Sequence, residues 1–419
     1  MNGNQPVDAV DRINRLTNTV GPVDVLPSKM LTKDQGMNSR PWVAIVSSRL
    51  GTNPILHRDV CRHLNRSMIE CRQRKAAVLI AKGSAIEPWA TRAAELFGVP
   101  AIKLHIDETG DQANEYGLQV TITGQAKLSR DWVTVFLADR VDAVYVRSSG
   151  NIFAALQSRM ATLHDATTRV AVTSLANCAA KSLIQAGAVG LIEVGSSDEN
   201  QFQDSNDPMP VDDFDRAAEW MHSEGEWLVH CTRACVGPWP GQTEHQYRDE
   251  LILGDDPSPR TPLDTLLRII RSRRLIAGAI ASSRAYPVVC FSAVALSDLL
   301  VSRSYRPHLK RWDYEPWGIA LRKSAAIEQG AHEVIYGQPG DREKIATSNQ
   351  FRFQAAGKTF DWTAEKEWRI AADVDLDSFK DNDVRVFVAC GEDRSKVEKH
   401  CPWAISIAGQ ARPKPVQGL

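Results

Sequence analysis

The chain has 419 residues, 43% hydrophobic and 24% charged, with a formal net charge of −1. Such a balance belongs to globular proteins and gives no chain-wide electrostatic drive towards nucleic acid or an anionic membrane. No apolar run approaches the roughly 18 residues that span a bilayer, so no membrane partner is expected, and the length suits about two or three domains.

The opening residues MNGNQPVDAVDRINRL lack the apolar stretch of an export signal, so a cytoplasmic protein is expected. Cys61, Cys71, Cys178, Cys231, Cys235, Cys290, Cys390 and Cys401 form no CxxC pair and no zinc-site spacing. Buried free thiols in a reducing compartment, and no bound metal, are the expectation. A homo-oligomer is compatible with the sequence, which does not fix the oligomeric state.

Residues 1–40 are polar, without a sustained period, and predict a mobile arm. Residues 41–194 then alternate apolar runs with helical stretches. Strands are predicted at 42–47, 76–81, 100–105, 142–147, 169–173 and 188–194, and helices near 54–74, 87–97, 128–139, 151–163 and 175–186. The alternation predicts an α/β domain, a doubly wound parallel sheet of Rossmann-like type. In such sheets ligands bind beyond the carboxyl ends of the strands. Ser48 and Arg49 follow the first strand, Gly83 and Ser84 the second, and Arg147, Ser149 and Gly150 the fourth. Small, hydroxylated and basic residues there suit a nucleotide phosphate. The same residues also suit ordinary βα turns.

IVSSRLG, AVLIAKGSAIEPWATRAAELFGVP and ADRVDAVYVRSSGNIFAALQSRM together resemble the SLOG superfamily, which includes the LOG phosphoribohydrolases and the DNA-processing protein family. The resemblance covers roughly residues 41–165 and implies a Rossmann-like fold that binds nucleotides or nucleotide-derived signals. The PGGxGTxxE motif of the catalytic LOG enzymes is absent, and RSSGN stands near its place, which points to a sensor instead of a hydrolase. From Arg40 to Lys75 the residues Arg49, Arg58, Arg62, Arg66, Arg72 and Arg74 outnumber Asp59 and Glu70, a pattern compatible with nucleic acid or with a solvated helix face.

The stretch 193–226 is strongly acidic, with Arg216 its one Lys or Arg, and predicts an exposed linker over 195–225. From 226 to 419 an α+β domain is expected. Thr261 as N-cap, Pro262 in the first turn and Leu263, Leu266, Leu267 and Ile270 on one face mark a helix. Strands are predicted at 226–232, 288–292, 318–322, 333–336, 367–374 and 384–390.

Two carboxylates stand out in WTAEKEWRI. Trp368, Ile370, Ala372 and Val374 alternate with Glu365, Glu367 and Arg369, so an extended strand would bury the first set and show both glutamates on a polar face. Paired carboxylates on a strand suit stabilisation of an oxocarbenium ion and orientation of a nucleophile, and equally suit a solvated face. Upstream, His230 and Thr232 share a strand face, and Tyr305, Trp312, Tyr314 and Trp317 make an aromatic stretch suited to stacking or to a core.

LVHCTR, LDTLLRIIRSRRLIAG, VVCFS and WTAEKEWRI, in that order, resemble the ADP-ribosyltransferase superfamily, especially divergent bacterial members such as the DarT-like toxins. Over about 226–375 the resemblance implies NAD as substrate, with His230 and Thr232 positioning it and Glu367 as the catalytic carboxylate. It implies that Glu365 orients an acceptor of unstated identity. Tyr305, Tyr314 and Ser292 compete for the middle position against nicotinamide. The joint expectation is a sensor–effector protein of a stress or defence kind, in which a nucleotide-sensing domain controls an NAD-consuming one. A non-catalytic nucleotide-binding regulator is the alternative.

Overall fold

The structure, a computed structural model, describes residues 9–106, 116–122, 129–163, 167–173, 177–192, 218–254, 260–278, 286–306, 311–356 and 362–409. It divides into two compact units, Met1–Asn200 with Thr243–Pro257, and Gln201–Gln242 with Ser258–Leu419. Among the described residues no helix is long and apolar enough to cross a membrane.

The first unit is an α/β fold on an eight-stranded sheet. Its strands are β1 (Val23–Pro27), β2 (Trp42–Ser47), β3 (Ala77–Ala81), β4 (Ala101–Ile106), β5 (Gly117–Ile122), β6 (Arg140–Tyr145), β7 (Thr167–Val172) and β8 (Val189–Ile192). They lie in the order β1-β5-β4-β3-β2-β6-β7-β8, parallel throughout except for the antiparallel pair of β1 with β5. The helices are α1 (Ala9–Val20), α2 (Lys29–Lys33), α3 (Gln35–Asn38), α4 (Pro54–Gln73), α5 (Glu87–Phe97), α6 (Arg130–Leu137), α7 (Asn151–Thr162), α8 (Asn177–Gln185) and α9 (Glu244–Leu253).

Strand period places the two helical layers. Trp42, Ala44 and Val46 of β2 pack with residues of α1, α6, α7 and α8, whereas Val43 and Ile45 pack with α4, α5 and α9. All six residues of β2 are buried, as two covered faces require. Asn53 starts α4 by accepting from the amides of Ile55 (2.9 Å) and Leu56 (3.4 Å), and Pro54 fits the first turn.

Residues 9–40 correct the expectation of a mobile arm, since they form α1, β1, α2 and α3 on this unit. Leu16 and Leu31 are fully buried, and so is Arg12. The Arg12 guanidinium reaches Asp139 at 2.7 Å and lies 4.1 Å from the Trp42 ring centroid. The signal was present in Ala9, Ile13, Leu16 and Val20, whose spacing is helical, but the polar residues between them masked it.

The second unit is α+β. Its seven-stranded sheet contains β9 (Trp227–Cys231), β10 (Val289–Ser292), β11 (Gly318–Arg322), β12 (His332–Glu333), β13 (Glu367–Ile370), β14 (Val384–Val388) and β15 (Ala404–Ile407). The order is β12-β13-β10-β9-β11-β14-β15, antiparallel except between β14 and β15. Helices α10 (Pro262–Ser272), α11 (Leu296–Ser302), α12 (Lys323–Glu328) and α13 (Gly391–Glu398) complete it. Thr261 and Asp264 cap α10 reciprocally, as its sequence predicts, and Leu266, Ile269 and Ile270 are buried. Gly318 is obligatory at the centre of the sheet: a Cβ there would overlap the His230 carbonyl oxygen and stand 2.5 Å from Phe387 Cζ.

Three further expectations change. The predicted strand over 367–374 ends at Ile370, and Val374–Asp375 pairs instead with Arg274–Leu275. Of the predicted acidic linker, 195–217 lie outside the described residues. Its end is packed structure, with a 3-10 turn at Glu219–His222 that buries Met221. All eight cysteines are free, but burial holds only for Cys61 and Cys71, and Cys178 is exposed.

Candidate functional site

In the first unit the sheet runs outward from β2 in both directions, through β3 on one side and β6 on the other. This is the topological switch point, the usual position of a ligand in open α/β sheets. The predicted residues Ser48, Arg49, Arg147, Ser149 and Gly150 are on these two loops. Hydrogen bonds lock the loops together: the Ser48 amide donates to Tyr145 O (2.8 Å), the Arg147 amide to Ser48 Oγ (3.1 Å) and Arg147 Nη2 to Arg49 O (3.0 Å). Arg49, Arg147 and Ser149 are exposed. Gly150 opens α7 at a φ of 127° that favours glycine, and no side chain caps that helix start.

Gly83 and Ser84 follow β3, the adjacent strand. The Gly83 amide donates to the Glu87 carboxylate at 2.5 Å, so a negative charge already occupies it. Ser84 Oγ is buried without a hydrogen-bond partner. The switch-point pair of loops carries two guanidinium groups and no carboxylate among its loop residues. The basic run from Arg40 to Lys75 is partly paired on α4 itself, Arg62 with Asp59 at 3.8 Å and Arg66 with Glu70 at 3.5 Å.

In the second unit the three strands singled out by sequence are consecutive neighbours. Glu367 pairs with Ser292 across β13 and β10, and Ser292 pairs with Val229 on β9, the residue before His230. The His230 imidazole bonds through Nδ1 to the Cys290 carbonyl at 2.9 Å and meets the Phe291 ring edge-on at 5.7 Å. A carbonyl only accepts, so Nδ1 carries the hydrogen and Nε2 presents a lone pair. Burial lowers its pKa, against the Cys290 bond, and Arg233 lowers it further. The ring is a neutral acceptor.

The two carboxylates do not share a strand face. Glu365 ends a 3-10 turn at Trp362–Glu365, Lys366 adopts a left-handed φ of 44°, and β13 begins at Glu367. The turn is fixed by Ser292 Oγ, which donates to Glu365 O at 2.6 Å, and by an ion pair of Lys366 with Glu224. The face read as solvated is covered instead. Arg369 is fully buried and donates to both Glu367 oxygens (2.9 and 3.1 Å), to Phe351 O (3.1 Å), to Phe353 O (3.0 Å) and to Gln354 Oε1 (2.7 Å). Trp368, expected in the core, is half-buried, with Lys323 Nζ 4.6 Å from its ring centroid.

Among the competitors for the middle position, Tyr314 reaches a carboxylate. Burial raises its phenol, and the charge of Glu365 and a hydrogen bond to it add to the rise. Burial likewise lifts the Glu365 carboxyl above the ordinary range, opposed by the Tyr314 bond and reinforced by Glu367. Tyr336 borders the same pair. Burial, opposed by the Glu367 main chain and then aided by both carboxylates, pushes it to about 12. Tyr305 is 48% exposed and stacks edge-on against Trp312 at 5.5 Å. Ser292 Oγ is committed to main-chain bonds. Thr232 corrects another expectation: it is 1% exposed and its hydroxyl is directed to the carbonyls of Pro262 (2.8 Å) and Trp317 (3.1 Å), which leaves it no reach to a ligand. Sequence reasoning placed Arg369 on the glutamate face but not in the core, and missed Tyr336. For Arg369 the signal was its place two residues after Glu367 on one strand. Among the described residues no cluster of His, Cys, Asp or Glu is fit to hold a metal ion.

No family model and no curated protein matches this chain. Among solved structures, DNA processing protein A of Streptococcus pneumoniae is 15% identical over 43% of this chain and 74% of that one, with a TM-score of 0.29. The Helicobacter pylori protein of the same name is 15% identical over 40% and 80%, with a TM-score of 0.30. The molybdenum cofactor carrier protein of Chlamydomonas reinhardtii is 13% identical over 36% and 89%, with a TM-score of 0.27.

Proposed function

We propose that the first unit binds a nucleotide or nucleotide-derived ligand at its switch point and that the second cleaves the nicotinamide–ribose bond of NAD, the first controlling the second. The observation that carries the reading is the pairing of Glu367 with Ser292 on adjacent strands, with Glu365 and Tyr314 bonded beside them.

In this reading the C–N bond breaks with its electron pair going to nicotinamide, which leaves neutral. Positive charge develops on the ribose, and a carboxylate is useful there only if rigidly held. Arg369 gives Glu367 that rigidity. A water or acceptor hydroxyl adds to the ribose carbon and yields its proton to Glu365, whose raised pKa suits a general base. His230, expected beside Glu367, follows Val229 and packs on Phe291, so it points to the other face of the sheet and has no part in this step. Tyr314 fixes Glu365 and offers a ring for stacking.

The test is nicotinamide release from NAD by the full chain, with and without AMP, at a temperature where every variant is folded. Glu365→Gln and Glu367→Gln are each expected to cost on the order of 10²–10³ in turnover. No release by wild type, or mild and equal effects of both substitutions, would defeat the reading. Arg147→Ala is expected to abolish AMP binding in calorimetry and to leave basal release unchanged. A non-catalytic nucleotide-binding protein is the second reading, favoured by one observation: both Glu367 oxygens already face Arg369, which offsets their charge. AMP binding without any product from NAD would select it.

A further inference from the structure

We propose that helix α9 is the element through which the nucleotide loop of the first unit acts on the His230 strand of the second. The proposal deepens the reading above and rests on it for the identity of the two sites.

The chain order is the first observation. β9 ends at Cys231, and residues up to Gln242 group with the second unit. Thr243–Pro257, which carry α9, group with the first, and the chain rejoins the second at Ser258. Helix α9 is thus an excursion that starts just downstream of His230 and is built into the Rossmann-like core. Tyr247, Leu251 and Ile252 are buried there with Leu56, Val60 and Trp89. Arg92 clasps Asp249 through Nε (2.6 Å) and Nη2 (2.8 Å), and Asn65 Nδ2 donates to Ile252 O at 2.5 Å. A helix tied at three places to α4 and α5 moves with them.

The second observation is what α9 touches. Tyr247 Oη lies 2.8 Å from His57 Nδ1, and His57 Nε2 lies 3.0 Å from the carbonyl of Gly51. The carbonyl accepts, so Nε2 carries the hydrogen and Nδ1 accepts from the Tyr247 hydroxyl. Gly51 belongs to the loop that begins at Ser48 and Arg49, one of the two switch-point loops. One polarised chain of bonds therefore runs from the nucleotide loop to α9. The His57 and Trp89 rings, 4.9 Å apart, and those of Trp89 and Tyr247, 5.8 Å apart, pack around it.

The third observation is the bonding, within the second unit, between the residues on either side of the excursion. The Cys235 amide donates to Arg260 O (2.9 Å), Arg260 Nη1 donates to Gly237 O (2.7 Å), and the guanidinium lies 4.6 Å from the Trp239 ring centroid. Thr265 Oγ1 donates to Arg233 O (2.7 Å), and Thr232 Oγ1 donates to Pro262 O (2.8 Å). Residues 232–237 and 260–265, before and after the excursion, are bonded together down to Thr232, two residues from His230. Thr232 is thereby the anchor of a tether. A ligand that settles on the Ser48–Gly51 loop shifts the Gly51 carbonyl, and the bonded series carries the shift to β9.

Amide hydrogen exchange of the full chain tests this without any ligand. Tyr247→Phe and Arg92→Ala, both inside the first unit, are expected to speed exchange in α9 and also in β9 and at 232–237. Faster exchange confined to α4, α5 and α9, with β9 unchanged in both variants, overturns the tether. AMP is the probe in the second arm. Wild type is expected to change its nicotinamide release about fivefold or more on adding AMP, within the usual range of coupling. Tyr247→Phe is expected to bind AMP with unchanged affinity, to keep basal release and to lose the response, whereas a retained response overturns the proposal. If wild type releases no nicotinamide, the glycosidic reading fails on its own, and the exchange pattern still supports or overturns the tether.

Discussion

Glu367→Gln removes the counter-charge of a buried guanidinium, and the structure fixes the scale of the loss. Arg369 has 1% of its side chain exposed and Glu367 12%, so water does little to screen the pair. Arg369 keeps its bonds to Phe351 O, Phe353 O and Gln354 Oε1, and glutamine still offers one oxygen. What is lost is the charge, and the new amide hydrogens face a cation. Breaking a buried pair costs about 3–5 kcal/mol, and the retained acceptors place this case near 3. For a unit of this size that is a fall of roughly 6–12 °C in the transition, at about 2–4 °C per kcal/mol. Glu365→Gln, which neutralises a carboxyl already held above the ordinary range by burial, is expected to stay within about 1 kcal/mol. Replacing both members of the pair, Glu367→Gln with Arg369→Met, is expected to recover much of the loss, since an apolar side chain leaves no orphan charge. Calorimetry of the full chain, with limited proteolysis to assign the transition that moves, reads all three. A Glu367→Gln variant no less stable than Glu365→Gln, or a double variant worse than the single, would refute the reasoning.

Arg12→Ala is expected to lower the stability of the first unit by about 3 kcal/mol in urea unfolding, because Asp139 and the carbonyls of Asn38 and Arg40 lose a fully buried partner. Deletion of residues 1–40 is expected to leave that unit unfolded, where a detachable arm would leave it intact. His63 gives a pH signature: burial, with Arg66 and Arg62 adding, lowers its pKa from 6.5 to about 4. The unfolded chain therefore takes up the proton first as pH falls below 6.5, and the unit loses stability until about pH 4. The stability difference between wild type and His63→Gln, followed by urea midpoints, is expected to shift against wild type across that window and to be flat above it.

The elements most legible in the sequence are those whose residues answer to one requirement at a time. WVAIVS and AVLIA are apolar throughout because both faces of the sheet are covered, and Thr261-Pro262 with Asp264 announces a capped helix with its own chemistry. The edge strand β1 was not legible. Its five residues, Val-Asp-Val-Leu-Pro, sit at the border of a sheet whose partner β5 lies about a hundred residues on, and only the tertiary pairing makes it a strand. Helix α9 was assigned with the second half of the chain because sequence order is the only guide when a segment leaves one core for another.

The carboxylate pair shows a sharper limit. Alternation states which side chains share a face, but only while the backbone stays extended. Lys366, a residue with no intrinsic bias to positive φ, turns at 44° and breaks the register between Glu365 and Glu367. Nor does alternation say whether a face is wet. The cover over Arg369 comes from the 3-10 turns of Thr347–Arg352 and the short strand Phe353–Ala355, whose main-chain carbonyls it uses. A buried arginine needs acceptors from every direction, and those acceptors are main-chain groups that any sequence possesses. The two glutamates therefore differ through their surroundings: one is held by a buried cation, and burial beside Tyr314 raises the other. An identical pair of residue letters acquires two different settings, and that division arises only when the chain folds.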